Sequence, residues 1–167
     1  LIILLDQWTK YLVRTRLSFG EYWSPWEWLT PYARIVHWNN TGAAFGMFQG
    51  GGLLFSILAA VVSVVIIVYF PQISRRDWPL RAALILQFGG ALGNLIDRIT
   101  VGQVTDFISI GRFAVFNVAD SSITIGVIVL LVGIFIKDQQ DKKAARLDQE
   151  QVQQLDPESR QEHDRGG

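Results

Sequence analysis

The sequence of 167 residues predicts an all-α integral membrane protein, with four transmembrane helices and a small strand-containing platform on the outer face. Three observations predict it. Charge is confined: 14 of the 30 charged side chains lie in residues 137–167, leaving about 12% over the first 136, roughly half the share of a soluble domain. Long apolar stretches lack the polar face that a soluble core helix would carry. Lys and Arg concentrate in alternate connections. With net charge zero no nucleic-acid partner is expected. The absence of Cys removes disulfides, thiolate chemistry and Cys-based zinc sites, and two histidines, His37 and His163, do not make a His-rich metal centre, so no metal or cofactor is expected.

The opening residues, Leu1-Ile2-Ile3-Leu4-Leu5 followed by Asp6-Gln7-Trp8-Thr9-Lys10-Tyr11-Leu12-Val13, read as the second half of a first span whose start is missing. No small-residue cleavage site follows, so a signal peptide is not expected. Residues 14–52 are too long for a simple turn. They hold Tyr22, Trp23, Trp26, Trp28, Tyr32 and Trp38, amphipathic aromatics that favour the membrane–water boundary. Ala33 to Trp38 is β-like, and Asn39-Asn40-Thr41-Gly42 is a turn signal, so this stretch is read as the platform. Residues 53–70 form the clearest span, with no charge and only Ser56 and Ser63 as polar interruptions; about 20 residues cross the hydrocarbon core. Residues 80–96 are the third span and 118–136 the fourth. Residues 1–136 are thus read as one membrane domain and 137–167 as a polar tail, a short helix fraying into disorder.

Arg75, Arg76 and Arg81 mark the second connection as cytoplasmic, and Lys137, Lys142, Lys143 and Arg146 mark the tail likewise. Both termini are then inside. Helix three runs outward, placing Asn94, Asp97 and Arg98 at its outer end, and helix four returns from Asn117 and Asp120. Asp6 and Lys10 fall in the outer half of helix one, and Asn40 and Asp106 in the outer connections. Nearly every carboxylate close to a span therefore converges on one membrane face, where ionisable groups tend to face a partner or a wet cavity.

Each residue also has a plainer reading. Asp120 at a helix start can be an N-cap, Asp97 can pair with adjacent Arg98, and Asp6 and Lys10, at i and i+4, can neutralise each other. Gly89, Gly90 and Gly93 are packing residues, the first and last spaced as a small-xxx-small seam. The joint occurrence on one face remains to be explained. No Cys nucleophile is present, and Ser121 and Ser122 have no identifiable base. Two carboxylates suffice for peptide hydrolysis: close together and poorly solvated, they share a proton, one activating water and the other protonating the carbonyl oxygen. Of Asp97, Asp106 and Asp120, Arg98 biases Asp97 towards permanent ionisation, which leaves Asp106 and Asp120 as the better pair.

Five blocks in order, Asp6-Gln7-Trp8-Thr9-Lys10, Asn40-Thr41-Gly42-Ala43-Ala44-Phe45-Gly46, Gly93-Asn94-Leu95-Ile96-Asp97-Arg98, Gly102-Gln103-Val104-Thr105-Asp106-Phe107 and Phe116-Asn117-Val118-Ala119-Asp120-Ser121, resemble the bacterial lipoprotein signal peptidases (signal peptidase II) over residues 1–136. The resemblance implies an aspartic endopeptidase at the outer surface of the bacterial cytoplasmic (inner) membrane, with no cofactor expected. Its substrate would be a prolipoprotein carrying diacylglycerol on its lipobox cysteine, cut before that cysteine. The family's catalytic pair maps onto Asp106 and Asp120. Asn94, Arg98, Asn117 and Ala119 match substrate-holding and ordering positions, with Asp97 as support; Asn40 and Gly42 match the platform, and Asp6 and Lys10 the helix-one support. Partners expected are the substrate, membrane lipid and the cyclic peptide inhibitor globomycin, with a monomeric enzyme. Thr105 stands where the family more often has an aliphatic residue, and the Asp106 to Asp120 connection is short. The competing reading is a small transporter or channel subunit using the same carboxylates as an ion site.

Overall fold

The computed structural model describes residues 1–41 and 51–155. Four helices account for most of them: α1 (Ile2–Arg16), α2 (Gly52–Tyr69), α3 (Trp78–Thr100) and α4 (Val118–Leu155). Three stretches are long and apolar enough to cross a membrane, Gly52–Gln72, Trp78–Thr100 and Val118–Gln151. The expected fourth is not among them. At 1.5 Å per residue, the 15 residues of α1 rise about 22 Å, short of the ~30 Å hydrocarbon core. The stretch read as a fraying tail begins as helix, because α4 continues to Leu155 through good helix formers such as Ala144, Ala145 and Arg146, with a Lys142–Asp138 pair at 2.7 Å.

Contacts divide the chain into two units, Leu1–Leu130 and Leu131–Gly167. The first holds the buried polar groups. Its interior is inverted relative to a soluble protein. The largest fully buried side chains are Lys10, Asn117, Thr105, Asp6, Asp97 and Asp106, all polar, while Leu53, Ile57, Val64 and Ile67 of α2 are exposed. In a bilayer those apolar side chains meet lipid, and the polar ones must find one another.

Small residues let the helices approach closely enough for that. A Cβ on Gly89 would lie 2.9 Å from Ile2 Cβ of α1, and one on Gly93 would lie 2.6 Å from Asp6 Oδ2. These two glycines, four apart, therefore face α1, as the seam spacing predicts. Gly90 faces α4, where a Cβ would run into the Ala119 carbonyl oxygen and come within 2.7 Å of Ile123. Ala119 itself is completely buried.

The platform is a three-stranded antiparallel sheet in the order β1-β2-β3, made of β1 (Tyr22–Trp23), β2 (Ala33–Asn40) and β3 (Val104–Ile110). The sequence reading placed a strand in the 14–52 stretch but not the third strand, which comes from the connection between α3 and α4. Gly102, at φ +85°, turns the chain out of α3, and β3 then pairs with β2 so that Trp38 stands opposite Asp106. Beyond β3 the chain doubles back at once. Phe116 N donates to Ile108 O at 3.1 Å, and Ile108 N donates to Phe116 O at 2.7 Å. This tight return explains the short connection between Asp106 and Asp120.

The α3–α4 contact yields a stability prediction. Gly90→Ala is expected to cost about 1–3 kcal/mol through overpacking against the Ala119 backbone. The check is a lowered melting temperature of the detergent-purified protein.

Candidate active site

The site is assembled from α1 inward. Lys10 follows Asp6 by four residues and Gln7 by three, and Arg14 follows Lys10 by four, so these residues form one polar stripe on that helix. Lys10 Nζ lies 2.8 Å from Asp6 Oδ2 and 3.3 Å from Asp97 Oδ2, and donates to Asn94 Oδ1 at 3.0 Å. Asp6 has a second task, since its Oδ1 accepts the Ala119 backbone N–H at 2.9 Å. That N–H is one of the first-turn donors of α4 that no helical carbonyl can reach.

Asp97 is the junction between α1, α3 and β3. Its Oδ2 accepts the Thr105 backbone N–H at 2.9 Å, and its Oδ1 accepts from Gln7 at 3.2 Å and from Arg14 at 3.3 Å. Arg14 also donates to the Thr105 hydroxyl at 3.0 Å. The expected local pair with Arg98 is replaced by these bonds to α1, while Arg98 lines the cavity described below.

Two further carboxylates, Asp106 on β3 and Asp120 on α4, are held by asparagines. Asp106 Oδ1 accepts from Asn117 Nδ2 at 2.7 Å, and its Oδ2 accepts from Asn40 Nδ2 at 2.9 Å. Asp120 Oδ1 accepts from Asn94 Nδ2 at 2.7 Å. Asn117 and Asp120 also close the start of α4 reciprocally: Asp120 N donates to Asn117 Oδ1 at 2.9 Å, and Asn117 N donates to Asp120 Oδ2 at 3.3 Å. This is a capping box with Asp in the third position. The N-cap reading of Asp120 is thereby refined, because Asn117 is the cap and Asp120 its return partner.

Both carboxylates line a cavity of about 570 Å³ whose other walls are largely apolar, including Phe55, Phe113, Val115, Phe116 and Ile125. The carboxyl of Asp106 is raised to about 7, first by burial and next by the facing charge of Asp120. The amides of Asn40 and Asn117 and the Lys10 ammonium oppose that rise without cancelling it. Arg98 adds a guanidinium to the cavity wall, donating to Asn94 O at 3.4 Å and lying 5.7 Å from the centre of the Phe55 ring. Among the described residues no group of three or more His, Cys, Asp or Glu is placed to hold a metal ion.

Of the residues singled out from the sequence, Asp6, Lys10, Asn40, Asn94, Asp97, Asp106, Asn117, Ala119 and Asp120 are brought into this one network, and Arg98 borders it. Gly42 lies outside the described residues. Gln7, Arg14 and Thr105 were missed as members. For α1 the signal is position 14, which continues the 6–10 spacing, although the sequence reading starts the 14–52 connection there.

Breaking the junction has a predictable cost. Asp97→Leu leaves the fully buried Lys10 with one carboxylate fewer and orphans the Thr105 N–H, an expected loss on the order of 3–5 kcal/mol. It should appear as a large drop in melting temperature and in the yield of monodisperse protein.

Comparison with known proteins agrees with this architecture. Residues 1–136 match the family model described as signal peptidase (SPase) II. The chain is 40% identical over 151 residues to a lipoprotein signal peptidase of Acinetobacter baylyi, covering 84% of this chain and 80% of that one. It is 35% identical over 146 residues to one of Staphylococcus aureus, covering 85% and 87%. A bacterial membrane enzyme solved by the in meso method at 2.3 Å is similar in structure, with a TM-score of 0.76 and 33% identity over 84% of this chain and 86% of that chain. A second such structure, at 1.9 Å, gives a TM-score of 0.71 at 33% identity, over 80% and 86%. The shared length, the ordered motifs and the common fold lead to one conclusion: this chain belongs to the signal peptidase II family of membrane peptidases.

Proposed function

We propose that the protein is a membrane aspartic endopeptidase that removes the signal peptide from diacylglyceryl-modified prolipoproteins, cutting before the lipidated cysteine, with Asp106 and Asp120 as its catalytic pair. The observation that carries this reading is the pair itself: two carboxylates from β3 and α4, each held by asparagine N–H groups, on the wall of an otherwise apolar cavity. The relatives' names, lipoprotein signal peptidase, support the substrate class.

In this reading the pair holds one proton. The ionised member takes a proton from water as that water attacks the scissile carbonyl carbon, and the protonated member gives its proton to the carbonyl oxygen. Collapse of the tetrahedral intermediate breaks the C–N bond, and the amine leaves with a proton returned by the pair. Arg98 borders the cavity where it can hold a substrate carbonyl, and the apolar walls suit the signal peptide and the lipid. The same reading counts α1 as a fourth membrane helix. It places both termini in the cytoplasm and the platform at the outer surface of the inner membrane. A monomer inhibited by globomycin completes it.

Three outcomes test the assignment. Asp106→Asn and Asp120→Asn are each expected to abolish cleavage of a diacylglyceryl-modified prolipoprotein in a gel-shift assay while leaving folded yield intact; cleavage by either variant at the wild-type rate removes that residue from the pair. The pH dependence has a definite sign. Below about 7 Asp106 keeps its proton, and above it the carboxyl ionises and the shared proton is lost, so kcat/KM should fall as pH rises through that value. Asn40→Leu removes an amide that favours the ionised Asp106, so the alkaline limb should move to higher pH.

A further inference from the structure

Lys10 takes no part in the chemistry above, yet its side chain is fully buried and reaches the amide that holds Asp120. We propose that Lys10 is a positioning residue of the cleavage reaction: its ammonium fixes which way the Asn94 and Asn117 amides point, so that each catalytic carboxylate receives a side-chain N–H from one of these two amides. The proposal rests on the Asp106–Asp120 reading and extends it to a third helix.

An ammonium has three donors and no acceptor. The Asn94 atom that meets Nζ at 3.0 Å must therefore be its oxygen. Because the amide is planar, Asn94 Nδ2 is turned the other way, onto Asp120 Oδ1 at 2.7 Å. The second lone pair of Asn94 Oδ1 accepts from Asn117 Nδ2 at 3.1 Å. Asn117 in turn has to aim its nitrogen at Asn94 and Asp106, and its oxygen at the Asp120 N–H. One group that can only donate thus orders two amides, and those amides order the pair. Lys10 is itself held, since its other contacts are Asp6 and Asp97. Without it, the oxygen and nitrogen of Asn94 can exchange places at almost no steric cost. The exchanged form sets an amide oxygen against Asp120, acceptor against acceptor.

The plainer alternative is that Lys10 only neutralises Asp6 and Asp97. A charge-balanced variant separates the two roles. Asp6→Asn/Lys10→Met removes one charge of each sign, and an asparagine at position 6 can still accept the Ala119 N–H. Cleavage of diacylglyceryl-modified prolipoprotein would be measured against pH for Lys10→Met, for the double variant and for wild type, together with their melting temperatures. If Lys10 orients the amides, both variants lose kcat by about 10- to 100-fold, the worth of a charged hydrogen bond, with little change in KM. The charged groups that act on Asp106 are Asp120 of α4, Lys10 of α1 and Arg98 of α3, with Asp6 and Asp97 paired to Lys10 behind them. Removing the Lys10 cation alone should therefore also move the alkaline limb to higher pH. Wild-type kcat and pH profile in the double variant would overturn the proposal and leave Lys10 a neutralising role only.

A readout on the wild-type protein keeps the test open should Lys10→Met fail to fold. In protein labelled with 15N-asparagine, the side-chain N–H signals of Asn94 and Asn117 should shift as the pair titrates; signals indifferent to pH would mean that those N–H groups do not rest on the carboxylates, and would also overturn the proposal. Asp106→Asn and Asp120→Asn serve as the reference. If either of them cleaves normally, the dyad reading fails; if both are inactive and the Lys10 variants behave as wild type, only the inference about Lys10 fails.

Discussion

A lysine ammonium with no access to solvent is the constraint around which the rest of this structure is arranged. An isolated charge of that kind in a low-dielectric interior is prohibitively unfavourable, and pairing alone repays it only when the geometry is good and the remaining donors are satisfied. Lys10 meets both conditions with Asp6, Asp97 and Asn94. Those partners are useful beyond that, because each has a further commitment. Asp6 holds the start of α4, Asp97 holds the start of β3, and Asn94 holds Asp120. The elements that carry the two site carboxylates are therefore tied to α1 and α3 through groups that the buried charge already requires.

That arrangement depends on the size of residues that do no chemistry. Gly93 and Ala119 are small where Asp6 has to pass between α3 and α4, and Gly89 lets α1 lie close enough for Lys10 to reach Asn94. Packing and electrostatics are thus not separate layers here. The close helix approach is what makes short polar contacts possible, and the polar contacts are what hold helices together in a medium that gives apolar side chains no reason to leave it.

Much of this was legible in the sequence because a membrane segment leaves so few places for charge. Asp6, Asn94, Asp97, Asn117 and Asp120 stand out against their apolar neighbours, and the order of the spans brings them to one end. What was not legible is instructive. The third strand is not among the sequence expectations, although Val104 to Ile110 is a β-rich run bounded by Gly102 and Gly111, because its partner is β2, far away in the chain. Arg14 was assigned to a loop because helix ends are weakly encoded, and the structure extends α1 to Arg16. The pairing of Asp97 with α1 instead of adjacent Arg98 is a tertiary choice, decided by which cation the fold brings within reach. Asp120 shows that two readings of a residue need not compete, since it closes a cap and lines the cavity at once.

The tight return between β3 and α4 has a mechanical consequence. Asp106 on β3 and Asp120 on α4 flank a short return that is stapled at Ile108 and Phe116. A bilayer that thickens, thins or changes its lateral pressure can tilt whole helices at modest cost. The backbone bonds between Ile108 and Phe116 tie β3 to the start of α4, so strain on one segment is passed to the other. A change of lipid that tilts α4 is then expected to move the segments bearing Asp106 and Asp120 together rather than apart.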